Sequence, residues 1–184
     1  MNKGIPDRDR MLRVAFSMIR FMHDNALLRL VVDPARLLRD LGVRPRDTVL
    51  EVGCGPGFFT VGAAAAVGPE GRVVAYEVNP YACAYVERKL AAWKLGQAVV
   101  RNVNAIQSGL PDRSVDFVFV TGVPRVVGGL SALLTEMCRV LKPEGSIAFR
   151  PSRGDTAALN AMLGELGMAR TDTRRRFLIF QPRL

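Results

Sequence analysis

Histidine and cysteine are scarce in this sequence of 184 residues, and their scarcity limits the chemistry that it carries. His23 is the only histidine, and the three cysteines, Cys54, Cys83 and Cys138, form no C-x-x-C pair. A zinc site needs about four clustered Cys or His ligands, so no metal site is predicted. The odd number of cysteines also argues against a disulfide framework and favours a reducing compartment.

Lysine is missing between Lys3 and Lys89, which excludes a phosphate-binding G-x-x-x-x-G-K-[ST] loop from that region. The longest uncharged stretch, Val52 to Pro69, is rich in glycine and interrupted by Pro56. We interpret it as strand, loop and helix, so no integral membrane segment is predicted. Charged residues precede any apolar run at the N-terminus, which argues against a secretion signal and favours the cytoplasm.

Basic residues outnumber acidic ones, and the formal net charge is +9. Arginine dominates this excess and concentrates toward the two ends of the sequence. A balance of this kind attracts nucleic acid, anionic lipid or acidic substrates. A solvated basic surface is the alternative, because no pattern of stacking aromatic residues accompanies the charge.

Short β-branched runs alternate with helical segments, which is typical of a parallel sheet covered by helices. The length fits one domain, 1–184, without a linker. We predict strands at 48–52, 72–77, 98–103, 116–120, 146–150, 169–173 and 177–181. We predict helices at about 8–22, 34–42, 58–67, 81–95, 131–141 and 156–166. In doubly wound sheets ligands bind at the carboxyl ends of the strands.

A glycine-rich loop, Gly53 to Gly57, follows the first predicted strand and precedes a helix. Glycine there lets the backbone turn tightly and approach a ligand. The dinucleotide fingerprint G-x-G-x-x-G requires a small residue at its sixth position. Phe58 or Thr60 stands there, depending on the starting glycine, so the spacing argues against a dinucleotide site.

Four segments together resemble landmarks of the class I S-adenosylmethionine-dependent methyltransferase superfamily. Glu51 to Gly57 is similar to its motif I, E-x-G-x-G-x-G, and Glu77 ends the second strand as an acid does in that family. Leu110 to Phe117 resembles the "LP-x-x-S-x-D" approach to strand four, and Val140 to Gly145 the "LKPGG" turn before strand five. The resemblance covers roughly residues 35–182.

The resemblance implies an α/β fold with a Rossmann-like, doubly wound sheet of seven strands. The sheet is expected to be mostly parallel with an antiparallel last strand and with helices on both faces. Residues 1–42 are predicted to form an N-terminal helical cap, and residues 43–184 the cofactor-binding core. The implied cofactor is S-adenosylmethionine, with S-adenosylhomocysteine as its product.

The resemblance assigns cofactor-binding roles by position. The loop would line the methionine and ribose portion mainly through its backbone, at Gly53, Cys54, Gly55 and Gly57. Glu51 would orient the methionine amino end, and Glu77 would hold the ribose hydroxyls.

The adenine end of the implied pocket departs from the family pattern at one position. Val78 would pack on adenine, or serve as an ordinary core valine. Asn104, followed by Ala105, stands where the family has aspartate. The side-chain carbonyl of Asn104 would accept a hydrogen bond from the adenine amino group. The alternative is that Asn104 only shapes a turn. Thr121 opens the segment expected beside the transferred methyl.

No catalytic residue is predicted, because methyl transfer from a sulfonium needs positioning more than acid–base chemistry. The 121–125 segment lacks the N-P-P-[YF] signature of amino-directed nucleic-acid and glutamine methyltransferases. Arg125 could bind an acidic group or remain solvated. His23 could act as a base if the N-terminal segment folds over the pocket, or be an ordinary histidine.

The first predicted helix has a broad apolar surface interrupted by Arg13 and Arg20. It would cap the substrate pocket, or rest on a hydrophobic partner or a membrane surface. Packing against the sheet or a second subunit is the alternative. For function we expect methyl transfer to a small-molecule or lipid-like acceptor. An RNA or protein methyltransferase, and a non-catalytic cofactor-binding module, are the alternatives.

Overall fold

The computed structural model describes residues 7–24, 32–121, 128–151 and 156–183. Its α-helices are α1 (Arg8–His23), α2 (Pro34–Leu41), α3 (Phe58–Val67), α4 (Pro80–Ala92), α5 (Leu130–Val140) and α6 (Thr156–Glu165). Its strands are β1 (Thr48–Val52), β2 (Arg72–Glu77), β3 (Ala98–Asn102), β4 (Val115–Thr121), β5 (Leu141–Arg150), β6 (Met168–Arg174) and β7 (Phe177–Pro182). A short 3₁₀ helix, Ala105–Gln107, follows β3.

The seven strands form one sheet in the order β3-β2-β1-β4-β5-β7-β6. Strands β1 to β5 pair in parallel, and β7 pairs antiparallel with both β5 and β6. The reversal follows from the connection between β6 and β7. Only Arg175 and Arg176 join them, both with positive φ, and a two-residue turn joins antiparallel neighbours. The predicted sheet with an antiparallel last strand is confirmed.

The two faces of the sheet bury alternate residues of each strand, as its period of two requires. In β1, Val49 belongs to a buried cluster with Leu38 of α2 and Ala63 of α3. Leu50 belongs to a second cluster, which includes Leu133 of α5 and Leu159 of α6. Helices therefore cover both faces, as predicted.

Two boundaries differ from the prediction by three residues or more, for local reasons. Helix α4 ends at Ala92 instead of residue 95, because Lys94 adopts a positive φ of 54° that a right-handed helix does not allow. Strand β5 begins at Leu141 instead of residue 146, because Leu141 already pairs with Val115 of β4. The register then shifts within the predicted turn, so that segment is an irregular part of the strand.

Among the described residues, no helix is both long and apolar enough to cross a membrane.

The contact between α2 and α3 depends on a glycine. A Cβ added at Gly62 would lie 2.6 Å from Pro34 Cβ and 2.8 Å from the carbonyl carbon of the same residue. The backbones of the two helices therefore approach more closely than any side chain at Gly62 permits. This contact fixes α2 against the helix that follows the glycine loop.

We expect Gly62→Ala to destabilise the protein by roughly 1–3 kcal/mol, because the added methyl overpacks the helix contact. Gly164→Ala in α6 is the matched control, since its added Cβ would meet only the end of the Arg183 side chain at 3.4 Å. The control should be neutral or stabilising, by up to about 1 kcal/mol, because alanine favours helix. Urea unfolding of both variants measures the difference; equal free energies of unfolding would contradict the packing argument.

Candidate cofactor site at the carboxyl edge of the sheet

The glycine loop lies where the strand order reverses. Strand β1 has β2 on one side and β4 on the other, so the loop after it leaves the sheet at a topological switch point. The backbone N–H groups of Gly53 and Cys54 both donate to the carbonyl of Tyr76, at 2.8 and 3.1 Å. These bonds fold the loop across the end of β2.

Positive φ angles explain the glycines of this loop. Gly53, Gly55 and Gly57 have φ of 76°, 50° and 71°, a region that favours glycine. Gly57 has a second constraint, because a Cβ there would lie 2.8 Å from Val86 Cγ2 of α4. The spacing G-x-G-x-G therefore reflects backbone conformation together with a close approach of α4.

Glu77 holds the loop in this conformation. Its Oε2 accepts a hydrogen bond from the Gly55 N–H at 3.0 Å, and its Oε1 accepts one from the Asn79 N–H at 2.9 Å. Each carboxylate oxygen has a further lone pair for an additional donor. The side chain thus joins the loop, the end of β2 and the N-cap of α4 at one point.

Glu51 is buried beneath the loop, with 1% of its surface exposed. Its Oε2 accepts a hydrogen bond from Thr60 Oγ1 at 2.5 Å, while its Oε1 has no hydrogen-bond partner among the described residues. Burial raises the pKa of this carboxyl group to about 8, and the charge of Glu77 contributes to the rise. A buried acceptor of this kind fits a ligand that brings an ammonium group or another donor.

The remaining predicted residues follow neighbouring strand ends at the same edge. Val78 is 54% exposed, and Ala105 is buried at the start of the 3₁₀ helix. Asn104 caps that helix, with its side-chain oxygen accepting from the Ile106 N–H at 3.3 Å. Thr121 is half-buried and follows Val120, which pairs with Val52 at the end of β1.

Cys54 is buried within the loop. Burial raises the pKa of its thiol, and the charge of Glu51 raises it further. The thiol therefore stays protonated near neutral pH and is a poor nucleophile. Among the described residues, no three Asp, Glu, His or Cys side chains lie close enough to hold a metal ion.

Helix α1 lies over the loop and α4. Its residue Phe16 packs against Tyr85, with ring centroids 5.6 Å apart, and a Cβ added at Gly55 would lie 3.8 Å from Ile19 Cγ2. The Asn79 side-chain amide donates to the Leu12 carbonyl at 3.0 Å. Helix α1 therefore contacts the glycine loop and α4, while its role as a cap over a substrate pocket stays a prediction.

A buried ion pair beneath α1 was missed by sequence reasoning. Lys89 Nζ lies 2.8 Å from Asp24 Oδ1, and both side chains are nearly inaccessible, at 7% and 2%. The same ammonium donates to the Pro56 carbonyl of the loop at 2.9 Å. The sequence held one sign of this ion pair. Lys89 falls on the apolar face of α4 with Val86 and Leu90, where a buried lysine needs a partner.

Two of the sequence predictions lie outside the described residues. The segment from 122 to 127, which includes Arg125, is one of them. The side chain of His23 is the other, although its backbone ends α1.

The buried carboxyl of Glu51 predicts a pH-dependent stability. The folded protein keeps this proton until about pH 8, whereas the unfolded chain releases it near 4.5. Stability should therefore fall as the pH rises between these values, by up to roughly 1.4 kcal/mol per pH unit, and level off above pH 8. Glu51→Gln should lack this contribution, so the difference between the two free energies of unfolding in urea should change steadily from pH 5 to pH 8 and stay constant above pH 8. Parallel curves would contradict the assigned pKa.

Removing Asp24 should leave Lys89 as a buried charge without its carboxylate. We expect Asp24→Ala to destabilise the protein by roughly 3–5 kcal/mol and to speed amide hydrogen exchange in the glycine loop. Asp9→Ala is the matched control, because the Arg13–Asp9 pair on the same helix is exposed, and it should cost under about 1 kcal/mol. An equal loss of unfolding free energy in the two variants would show that the buried pair does not anchor α1.

Comparison with known proteins places this chain in a family. The methyltransferase domain family matches residues 50–149. Over 109 residues the chain is 34% identical to a demethylmenaquinone methyltransferase of Geobacillus kaustophilus, covering 59% of this chain and 47% of that protein. A protein of the same name from Bacillus cereus is 31% identical over 110 residues, which cover 60% of this chain and 46% of that protein. The chain thus spans about half the length of these curated relatives.

Solved structures share the fold. A SAM-dependent methyltransferase from Aquifex aeolicus superposes with a TM-score of 0.74 at 24% identity, covering 90% of this chain and 95% of that one. A putative S-adenosyl-L-methionine-dependent methyltransferase from Methanococcus maripaludis superposes with a TM-score of 0.71 at 12% identity. The superposition covers 100% of this chain and 97% of that one. The predicted enzyme class and cofactor, S-adenosylmethionine, are confirmed. The chain belongs to the methyltransferase domain family, among the class I S-adenosylmethionine-dependent methyltransferases.

Proposed function

We propose that this chain transfers the methyl group of S-adenosylmethionine to a quinone-type, lipid-like small molecule. The observation that carries the proposal is the similarity to demethylmenaquinone methyltransferases, which are 31–34% identical to this chain over about 110 residues. It agrees with the small-molecule or lipid-like acceptor expected from the sequence.

Two carboxylates give the cofactor site its chemistry. The Oε1 of Glu51, which no described residue contacts by a hydrogen bond, would accept from the ammonium group of the methionine portion, and this would also favour the ionised form of the buried carboxyl. The remaining lone pairs of Glu77 would accept from the ribose hydroxyls. The backbone of Gly53, Gly55 and Gly57 would lie against the ligand, where side chains would collide.

The other predicted residues would complete the pocket at the adenine end and at the methyl. Val78, which is exposed beside Glu77, would pack on adenine. The carbonyl oxygen of Asn104 would accept from the adenine amino group on a second lone pair, alongside its bond from Ile106. Thr121 and Ala105 would flank the cofactor from β4 and from the 3₁₀ helix.

When bound, S-adenosylmethionine supplies an electrophilic methyl on a sulfonium. The protein would contribute by holding the acceptor in line and by excluding water. Aliphatic side chains of α1 suit this task for an apolar acceptor, since Ile19 already lies beside Gly55. A basic surface that delivers RNA or protein to the site stays the alternative prediction, as does a module that binds the cofactor without turnover.

The proposal predicts methylation of demethylmenaquinone in detergent micelles, with S-adenosylhomocysteine released in equal amount. Glu77→Ala should weaken S-adenosylhomocysteine binding by roughly tenfold to a hundredfold, because it removes the ribose acceptor and leaves the N–H groups of Gly55 and Asn79 without their acceptor. Calorimetric titration measures the binding, and mass spectrometry of the extracted quinone measures the product.

Glu144→Ala is the matched control, since Glu144 is exposed on β5. It should bind and turn over as the unmodified protein does. Normal binding by Glu77→Ala would contradict the placement of the pocket. Cofactor binding without methylated quinone would contradict the acceptor, and a parallel incubation with RNA and a protein extract would show whether the alternative acceptors apply.

A further inference from the structure

Helix α1 has two apolar faces that point in different directions. The inner face carries Phe16, which is buried against Tyr85. The outer face carries Met11, Val14 and Met18, which follow one another at helical spacing and are 48%, 58% and 63% exposed. The inner face of the helix is therefore buried against the rest of the chain, and the outer face is exposed to solvent.

The outer row continues to the end of the helix. Phe21 is 82% exposed and Met22 is 60% exposed. We call the five side chains Met11, Val14, Met18, Phe21 and Met22 the outer stripe. Single exposed apolar residues are ordinary on a protein surface, but five large ones on one helix form a contiguous patch that indicates an interaction site.

Contacts along its length fix the orientation of α1. The Leu12 carbonyl accepts from the Asn79 side chain, and the Arg13 guanidinium donates to the Tyr81 hydroxyl at 3.2 Å. At the far end Asp24 forms the buried ion pair with Lys89. Because these contacts all lie on the inner side, the outer stripe faces away from the glycine loop and α4.

Charge identifies what the outer stripe binds. The segment 8–23 holds four arginines and one aspartate, and the whole sequence has a net charge of +9. Arg10 lies beside the stripe at helical spacing, whereas the guanidinium groups of Arg13 and Arg20 lie over the rings of Tyr81 and Tyr85. A second copy of this chain would bring the same positive charges to the contact, whereas a bilayer with anionic headgroups brings the opposite charge.

We infer that the outer stripe is a peripheral membrane-binding surface, on which α1 lies in the plane of an anionic bilayer. Its apolar side chains would enter the boundary between headgroups and acyl chains, and the exposed Arg10 beside them would meet the lipid phosphates. No turnover is needed for this binding, so the inference stands apart from the choice of methyl acceptor. If the acceptor is the lipid-like quinone proposed above, the same docking holds the glycine loop one helix away from the bilayer in which that acceptor dissolves.

Vesicle flotation tests the inference. The full chain should float with vesicles of phosphatidylglycerol and phosphatidylcholine in equal parts, and it should float less as sodium chloride screens the charges. The double variant Val14→Gln/Met18→Gln should lower the partition coefficient at least about tenfold, since it removes apolar contact without touching the inner face. Arg10→Gln should weaken binding to these vesicles more than to pure phosphatidylcholine.

The matched control is Val99→Gln/Leu166→Gln, which makes the same change at two exposed apolar residues on β3 and after α6. It should float as the unmodified chain does. Absence of flotation by the unmodified chain, or unchanged flotation of the α1 variant, overturns the inference. So does a concentration-dependent dimer in sedimentation that the α1 variant abolishes, because a second copy would then cover the stripe. Circular dichroism confirms that each variant folds, and S-adenosylhomocysteine titration separates loss of docking from loss of the proposed cofactor site.

Discussion

The candidate site depends on the carboxylate of Glu77, which accepts hydrogen bonds from the Gly55 and Asn79 N–H groups. Parallel strands β1 and β2 end at the same edge of the sheet, so one short side chain at the end of β2 reaches the loop that leaves β1. The loop needs positive φ at three glycines to meet it. Cofactor chemistry and loop geometry are therefore built from the same contact, because the oxygens that shape the loop retain lone pairs for a ligand.

Polar anchors decide where α1 lies. Burial of Phe16 contributes about 2–3 kcal/mol, which is little for a 16-residue helix whose isolated form would be marginal in water. The Lys89 ammonium joins Asp24 after the helix to Pro56 in the glycine loop. This pair is buried, so breaking it costs far more than breaking the exposed Arg13–Asp9 pair. The outward direction of the apolar stripe follows from these anchors.

Local patterns predicted most of the fold, together with the positions of the glycine loop and of the acids Glu51 and Glu77 at the ends of β1 and β2. Apolar periodicity and the G-x-G-x-G spacing placed β1, α3, β2 and the loop at their observed bounds, because each depends on neighbours a few residues away. The predicted end of α4 and the predicted start of β5 were wrong. The positive φ of Lys94 and the pairing of Leu141 with Val115 leave no signature in the sequence. Thr60, Asp24 and Lys89 were missed, because their partners are distant along the chain.

The sequence by itself determined the order of strands and helices, the glycine loop and the acids Glu51 and Glu77 that flank it. It also determined that the first helix is broadly apolar and rich in arginine. Only the tertiary structure decided which apolar row of that helix is buried and which faces outward, and which oxygen of Glu51 has no hydrogen-bond partner in the part of the chain that the structure describes. The reason is physical: periodicity is a property of neighbouring residues, whereas burial and hydrogen-bond satisfaction are set by groups that the fold brings together from distant positions.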